Sequence, residues 1–250
     1  MLGELDTYSL IDFFPFSKEV YLRLFGLQNE AWWPAQFIFL FLALLVFAIA
    51  VAPASWVKKV PARWRSAVSG AFLAVSFTCV AVTFFLGRYA DLNWAAPYFG
   101  WVFIAQAVLF ALVGALGKLE VAGRADGARG ICFWSGCLWV MLALFGYPAM
   151  AFAGFGVGGF GRGWKTAELV GLAPDPTVVL AVGMIMLLKK PRLWLLVVPA
   201  AWSAAAGLTA LALELSSGFI TVSLVFLGAG IASFQRFFGA PARIAPEGGA

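Results

Sequence analysis

Histidine is missing from all 250 residues, and only 12% of the chain is Asp, Glu, Lys or Arg. Without histidine, bis-histidine haem, ordinary zinc or copper centres and a Ser-His-Asp triad are excluded. Three cysteines, Cys79, Cys132 and Cys137, fall inside apolar stretches, and an odd, buried number builds no disulfide framework. Cys132 and Cys137 are five positions apart, a poor spacing for two ligands on one helical face. The phosphate-binding G-x-x-x-x-G-K-[ST] loop is absent, and the last apolar run has no lysine for a retinal Schiff base. No catalytic, cofactor-binding or metal-ligating set emerges. The chain reads as a non-enzyme, with neither a cofactor nor nucleic acid expected.

Apolar residues dominate, at 63% of the chain and a mean hydropathy of +0.93. Soluble domains are about 45–50% apolar and roughly 25% charged. No soluble core hides such a surplus, so lipid must be the solvent. Seven apolar runs are expected, at about 32–52, 67–87, 94–116, 131–151, 172–188, 193–212 and 218–236. Most reach the roughly 20 residues that a helix needs to cross about 30 Å of hydrocarbon. The fold class is therefore all-α, a polytopic transmembrane bundle of about seven spans. Residues 1–30 form an N-terminal interfacial segment, 31–238 the bundle and 239–250 a flexible cytoplasmic tail. Glu4, Asp6 and Asp12 make the start acidic, unlike a cleavable signal peptide. No lipidation motif is present. Ser17 is placed to cap a helix over 18–27, with Val20, Leu24 and Leu27 on its apolar face, Tyr21 and Phe25 widening it, and Lys18, Glu19, Arg23 and Gln28 polar. Such a helix lies in the membrane interface or packs on the end of the bundle.

The fifth run is the irregular one. Residues 177–188 alone are too short to span, so a crossing requires 170–174 to enter the membrane. Charge supports that crossing. Alternate connections collect twelve Lys and Arg on one side, including Lys58, Arg63, Lys118, Lys189 and Arg192, and leave five on the other, among them Lys18, Arg88 and Lys165. The positive-inside rule then places the N-terminus outside and the C-terminus in the cytoplasm, in a cytoplasmic (inner) membrane. A non-spanning fifth run would strand Lys189, Lys190 and Arg192 outside; six spans with a re-entrant fifth segment is the alternative. Trp32, Trp33, Trp56, Trp64, Trp94, Trp164 and Trp194 sit at run ends, as an interfacial belt requires.

The stretch 154–177 is the best candidate for a site. Its glycines match G-x-G-x-x-G, but they follow a membrane helix rather than a strand, so no nucleotide site is expected. Asp175, in Pro174-Asp175-Pro176-Thr177, reads as a helix N-cap and, alternatively, as a carboxylate facing a cavity. Candidate ligand or gate residues are Asp175, Thr177, Gln36, Gln106 and Trp33. Ser76, Thr78, Thr83, Ser135, Ser203, Thr209 and Gln106 are expected to hydrogen-bond between helices, and Arg88 and Glu214 to be solvated at outer run ends. The small residues of 200–207, with Gly100, Gly114, Gly228 and Gly230, are expected to pack helices closely.

Three segments carry a resemblance: Asn29-Glu-Ala-Trp-Trp33-Pro34-Ala-Gln36, as N-x-x-x-W-P-x-Q; Gly171-Leu-Ala-Pro174-Asp-Pro176-Thr177, as G-x-x-P-x-P-T; and Pro199-Ala-Ala-Trp202-Ser203-Ala-Ala-Ala-Gly207. In these the chain resembles an uncharacterised family of multi-span bacterial membrane proteins, a domain of unknown function. The resemblance covers most of 25–235 and implies the fold and topology but no activity. The chain departs from that family at Asp175, where members often have Cys, and near Phe155, where they have His after a glycine. Chemistry served by those residues would be lost or replaced here. Two functions are expected to compete. One is a non-catalytic membrane component or scaffold binding partner helices, other membrane subunits, a second copy or apolar ligands. The other is a transporter or channel for a small uncharged or apolar solute, gated by 154–177.

Overall fold

The computed structural model of the chain describes residues 16–52, 60–122, 130–153 and 163–238. Residues 154–162 of the expected 154–177 gate, residues 1–15 and the tail at 239–250 lie outside the described residues. The helices are α1 (Lys18–Ala31), α2 (Ala35–Val51), α3 (Ala62–Cys79), α4 (Ala96–Ala115), α5 (Ile131–Met141), α6 (Tyr147–Ala153), α7 (Pro174–Met186), α8 (Val197–Ala212) and α9 (Ser216–Phe238). Two stretches of wider π-helix, Val80–Leu86 and Leu142–Gly146, continue α3 and join α5 to α6. Pro148 lies two residues after the second; its ring cannot tolerate the carbonyl four residues back in an ordinary α-turn. Among the described residues there is no strand, only a single bridge between Val121 and Leu188.

Five helical stretches are long and apolar enough to cross a membrane: Ala62–Asp91, Ala96–Ala115, Ile131–Ala153, Leu193–Ala212 and Gly218–Phe238. The pair α1–α2 makes a sixth if its 85° bend lies within one span. Pro34, which has no N–H to donate, sits between the two. The run at 193–212 coincides with its helix. The second begins earlier than expected, at Ala62, because the turn Ala62-Arg63-Trp64-Arg65 extends the helix beyond its apolar part. Large apolar side chains such as Phe41, Trp101, Ile131, Val197 and Phe234 are exposed, the outward surface that lipid accommodates.

The bundle has two ends. Arg63 Nε donates to the Ala115 carbonyl and Arg192 Nε to the Lys118 carbonyl, while Lys189 Nζ lies 3.9 Å from Glu120 Oε2. These contacts define a basic end. At the opposite end, Arg88 Nε donates to Gln28 Oε1 at 3.0 Å. Arg88 is therefore bound to α1 rather than simply solvated. Ser17 does cap α1, accepting from the Val20 N–H at 3.5 Å. The buried face of α1 keeps Leu24, Tyr21 and Phe25 as expected but exchanges Val20 and Leu27, which are exposed, for Gln28, because Gln28 finds polar partners inside. Phe25 stacks on Phe84 at 5.5 Å, so α1 packs on the bundle end.

Helix α7 occupies the middle. Every residue from 167 to 188 is buried. Its 13 residues span about 20 Å, less than the roughly 30 Å of hydrocarbon. Close helix approach holds it: a Cβ on Gly183 would meet the Val140 nitrogen at 2.9 Å, and one on Gly136 the Gly183 carbonyl oxygen at 2.9 Å. Gly70 and Gly114 make the same kind of crossing between α3 and α4, and Gly207 approaches Val222 between α8 and α9. Gly230 differs from expectation, with nothing within 4 Å of an added Cβ. We predict that Gly183→Leu lowers stability by about 1–3 kcal/mol or more through overpacking, measured by unfolding of purified protein in detergent. Gly230→Leu should leave it unchanged, and equal stability of the two variants would contradict this packing.

Candidate functional site

A helix that starts in an apolar interior must account for the N–H groups of its first turn. The Pro174-Asp175-Pro176 start removes two of these donors, since proline has none. The Ala173 N–H donates to the Leu169 carbonyl at 2.8 Å. Thr177 secures the entry. Its Oγ1 accepts from the Gly171 N–H at 2.9 Å and donates to the Ala173 carbonyl at 2.7 Å. Gly171 has φ +80°, and an added Cβ would lie on the Phe39 ring. At the other end of α7 the carbonyls find partners too. The Ala122 N–H donates to the Leu187 carbonyl at 2.9 Å, and the Cys132 thiol to that of Met186 at 3.3 Å.

This arrangement corrects the expected role of Asp175. The N-cap of α7 is Ala173, with no side-chain cap bond, which leaves the Asp175 carboxylate available for other helices. Trp202 Nε1 on α8 donates to Oδ1 at 2.7 Å, and Thr221 Oγ1 on α9 donates to Oδ2 at 2.6 Å. The Tyr147 hydroxyl of α6 lies 2.7 Å from Thr221 Oγ1. With Thr221 donating to Asp175, Tyr147 is the donor to Thr221. Asp175, Trp202, Thr221 and Tyr147 are all buried. The Trp202 indole is held by Phe85, Phe99 and Phe103, with ring centroids at 4.8, 5.3 and 6.2 Å. An apolar ring body with a polar N–H tip suits such a place. Both donors to the carboxylate are neutral. A four-member polar cluster inside the bundle thus joins α6, α7, α8 and α9.

A second cluster surrounds the entry to α7. The buried Gln28 amide donates to Thr83 Oγ1, in the first π-helix, and to the Leu172 carbonyl at 3.5 Å. Asn29 Nδ2 donates to the carbonyls of Lys165 at 2.9 Å and Ala167 at 2.8 Å. Gln36 Nε2 donates to the Asn29 carbonyl, and Gln36 Oε1 is buried without a partner.

The five expected site residues do not converge. Asp175 and Thr177 share a helical turn but bond in different directions. Gln36 belongs to the α1–α2 break, and Trp33 is 60% exposed against Phe37. Gln106 Nε2 bonds the Leu195 carbonyl at 3.0 Å, joining α4 to the turn before α8. Gln106 thus meets the expectation of bonding between helices, as does Thr83, which accepts from Gln28 of α1. Ser76, Ser203 and Thr209 donate to carbonyls three or four residues back in their own helices, a local alternative always open to Ser and Thr. Trp202, Thr221 and Tyr147 were not among the expected site residues. The signals for them were a Trp and a Tyr within apolar runs, whose polar tips need partners, and the place of Trp202 in the third resemblance segment.

Asp175→Ala leaves two buried donors unpaired, a loss of about 1–3 kcal/mol for each. Asp175→Asn keeps the shape and an acceptor for Trp202, so it should be distinctly more stable than Asp175→Ala in detergent unfolding. Equal stability of the two would show that the cluster contributes little.

A family model described as a family of unknown function (DUF6064) matches residues 18–240, from the first residue of α1 to beyond the end of α9. No curated protein and no solved structure matches the chain. The family match spans nearly all of the chain, which therefore belongs to this family of unknown function, DUF6064.

Proposed function

We propose that this protein is a multi-pass component of the cytoplasmic membrane that works without catalysis, offering its outer helix faces to partner helices or apolar ligands. The observation that carries this reading is the filled interior. Asp175, Thr177, Gln28, Asn29 and Gln106 all bond to groups of the same chain. Two cavities near the basic end, one lined by Leu73, Met184 and Ile185 and the other by Arg65, Glu120 and Lys189, measure about 10 and 30 Å³. These are water-sized spaces. Apolar side chains of α2, α4 and α9 meanwhile face outward.

Seven crossings, with the N-terminus outside, fit this reading. The stretch from 165 to 188 begins beside Asn29 and Gln28 and finishes beside Val121 at the basic end, which supports counting it as a crossing. Placing Arg63, Lys118, Lys189 and Arg192 in the cytoplasm satisfies the positive-inside rule. A cysteine at Glu214 should then react with an impermeant thiol reagent in intact cells, and one at Lys118 only after permeabilisation. The opposite pattern would reverse the orientation. In mild detergent the protein should run with a stoichiometric membrane partner or as a defined homo-oligomer; a monomer that supports saturable solute flux would defeat the scaffold reading.

A transporter or channel for a small uncharged or apolar solute is favoured by one observation, a carboxylate inside the bundle at the start of a helix too short to span. Half-length helices and intramembrane carboxylates recur at transport sites. Flux in vesicles that Asp175→Asn abolishes, with the fold intact, would decide for transport.

A further inference from the structure

Asp175 is an ionisable side chain buried among apolar helices, and its chemical surroundings can be enumerated. The packed helices α5, α6 and α8 contain no Asp, Glu, Lys or Arg, and the only one on α9 is Arg236, about 20 Å along the helix from Thr221. Arg63 and Arg65, at the start of α3, belong to the basic end. The titratable groups that bear on the cluster are the phenols of Tyr89 and Tyr147, and Glu168, whose charge reaches Tyr147. Cys79, further along α3, carries a thiol and no formal charge.

The hydrogen bonds also discriminate between the two carboxylate oxygens. The indole N–H of Trp202 is a donor only, so Oδ1 remains an acceptor in every state. Oδ2 faces a hydroxyl, which donates or accepts by rotation, and that hydroxyl faces a second one at 2.7 Å. Oδ2, Thr221 Oγ1 and the Tyr147 oxygen thus form an unbroken chain of oxygens at 2.6 and 2.7 Å.

We infer that Asp175 is an intramembrane proton-binding site, with Oδ2 as the receiving atom and Thr221 and Tyr147 as the relay that feeds it. With the carboxylate ionised, Tyr147 donates to Thr221 and Thr221 to Oδ2. A proton handed over by a water molecule or hydronium ion at the Tyr147 oxygen forms a new O–H bond there. The original Tyr147 proton passes to Thr221 Oγ1, and the original Thr221 proton passes to Oδ2. Three O–H bonds form, two existing O–H bonds and the incoming donor's bond to its proton break, and one proton is taken up with no electron transferred. The product is a neutral carboxyl donating to Thr221, with Thr221 donating to Tyr147. Both donor orders use the same heavy atoms in the same places, so the change needs only hydroxyl rotation and proton transfer. The site stands whether the bundle serves as a scaffold or as a transporter.

The test is infrared difference spectroscopy on acidification of the full-length protein in lipid vesicles, with isotope-labelled aspartate. The expected result is a labelled protonated-carboxyl component, beyond the signal of Asp6, Asp12, Asp91 and Asp126, that is lost in Asp175→Asn. In Asp175→Glu that component persists without the label, which covers the case where the amide variant fails to fold. Thr221→Val keeps the side-chain shape and removes the middle hydroxyl. The labelled component should then rise at least about tenfold more slowly after a pH jump, the scale of a lost proton-transfer group. A labelled signal no larger in the unmodified protein than in Asp175→Asn, or an unchanged rate in Thr221→Val, would each overturn the inference.

Discussion

The constraint on which the structure depends is that α7 must begin and end inside protein. A backbone polar group left unpaired in hydrocarbon costs several kcal/mol, and α7 is too short to bring its termini to water on both sides. The prolines at 174 and 176 remove donors at one end, and Thr177 and Leu169 engage the entry. At the other end, the 119–122 link and Cys132 take up carbonyls. Gly136 and Gly183 let α5 come close enough to cover the helix. Each feature is local, but together they make a central element that touches lipid nowhere along 167–188.

The surrounding helices are arranged to serve that element. α1 turns away from α2 by 85° and places Gln28 and Asn29 over the entry segment. The first π-helix includes Thr83, which bonds Gln28, and the second directly precedes Tyr147, which bonds Thr221. A π-turn shifts the faces of all residues beyond it, and such bulges are frequent at functional sites. The Asp175 cluster is a further clamp on the same helix, and there a buried carboxylate sits in the apolar interior with a hydroxyl chain attached.

Much of the architecture was legible in the residues. The run at 193–212 is bounded by Arg192 on one side and by the polar turn with Glu214 on the other, and its helix has the same limits. Ser17 announced the start of α1. The identity of buried faces was not legible, because helices such as α4 are apolar all round and periodicity then selects no face. On α1 the pattern favoured Val20 and Leu27, while partners remote in sequence drew Gln28 inward. The proline-flanked Asp175 looked like a cap because caps are local, whereas its actual partners lie 27 and 46 residues further on. No spacing rule links an aspartate to a tryptophan two elements away. That pairing emerges only once α7, α8 and α9 are packed together.

The measurement that tests the central claim most directly is backbone hydrogen exchange of the full chain in lipid vesicles. If α7 is sealed at both ends by protein, the amides of 178–186 exchange with the slowest set in the molecule, more slowly than those of the lipid-facing α2 and α9. Exchange of 178–186 as fast as that of the connecting segments would mean that water reaches the helix, and would contradict this account of how the bundle is held together.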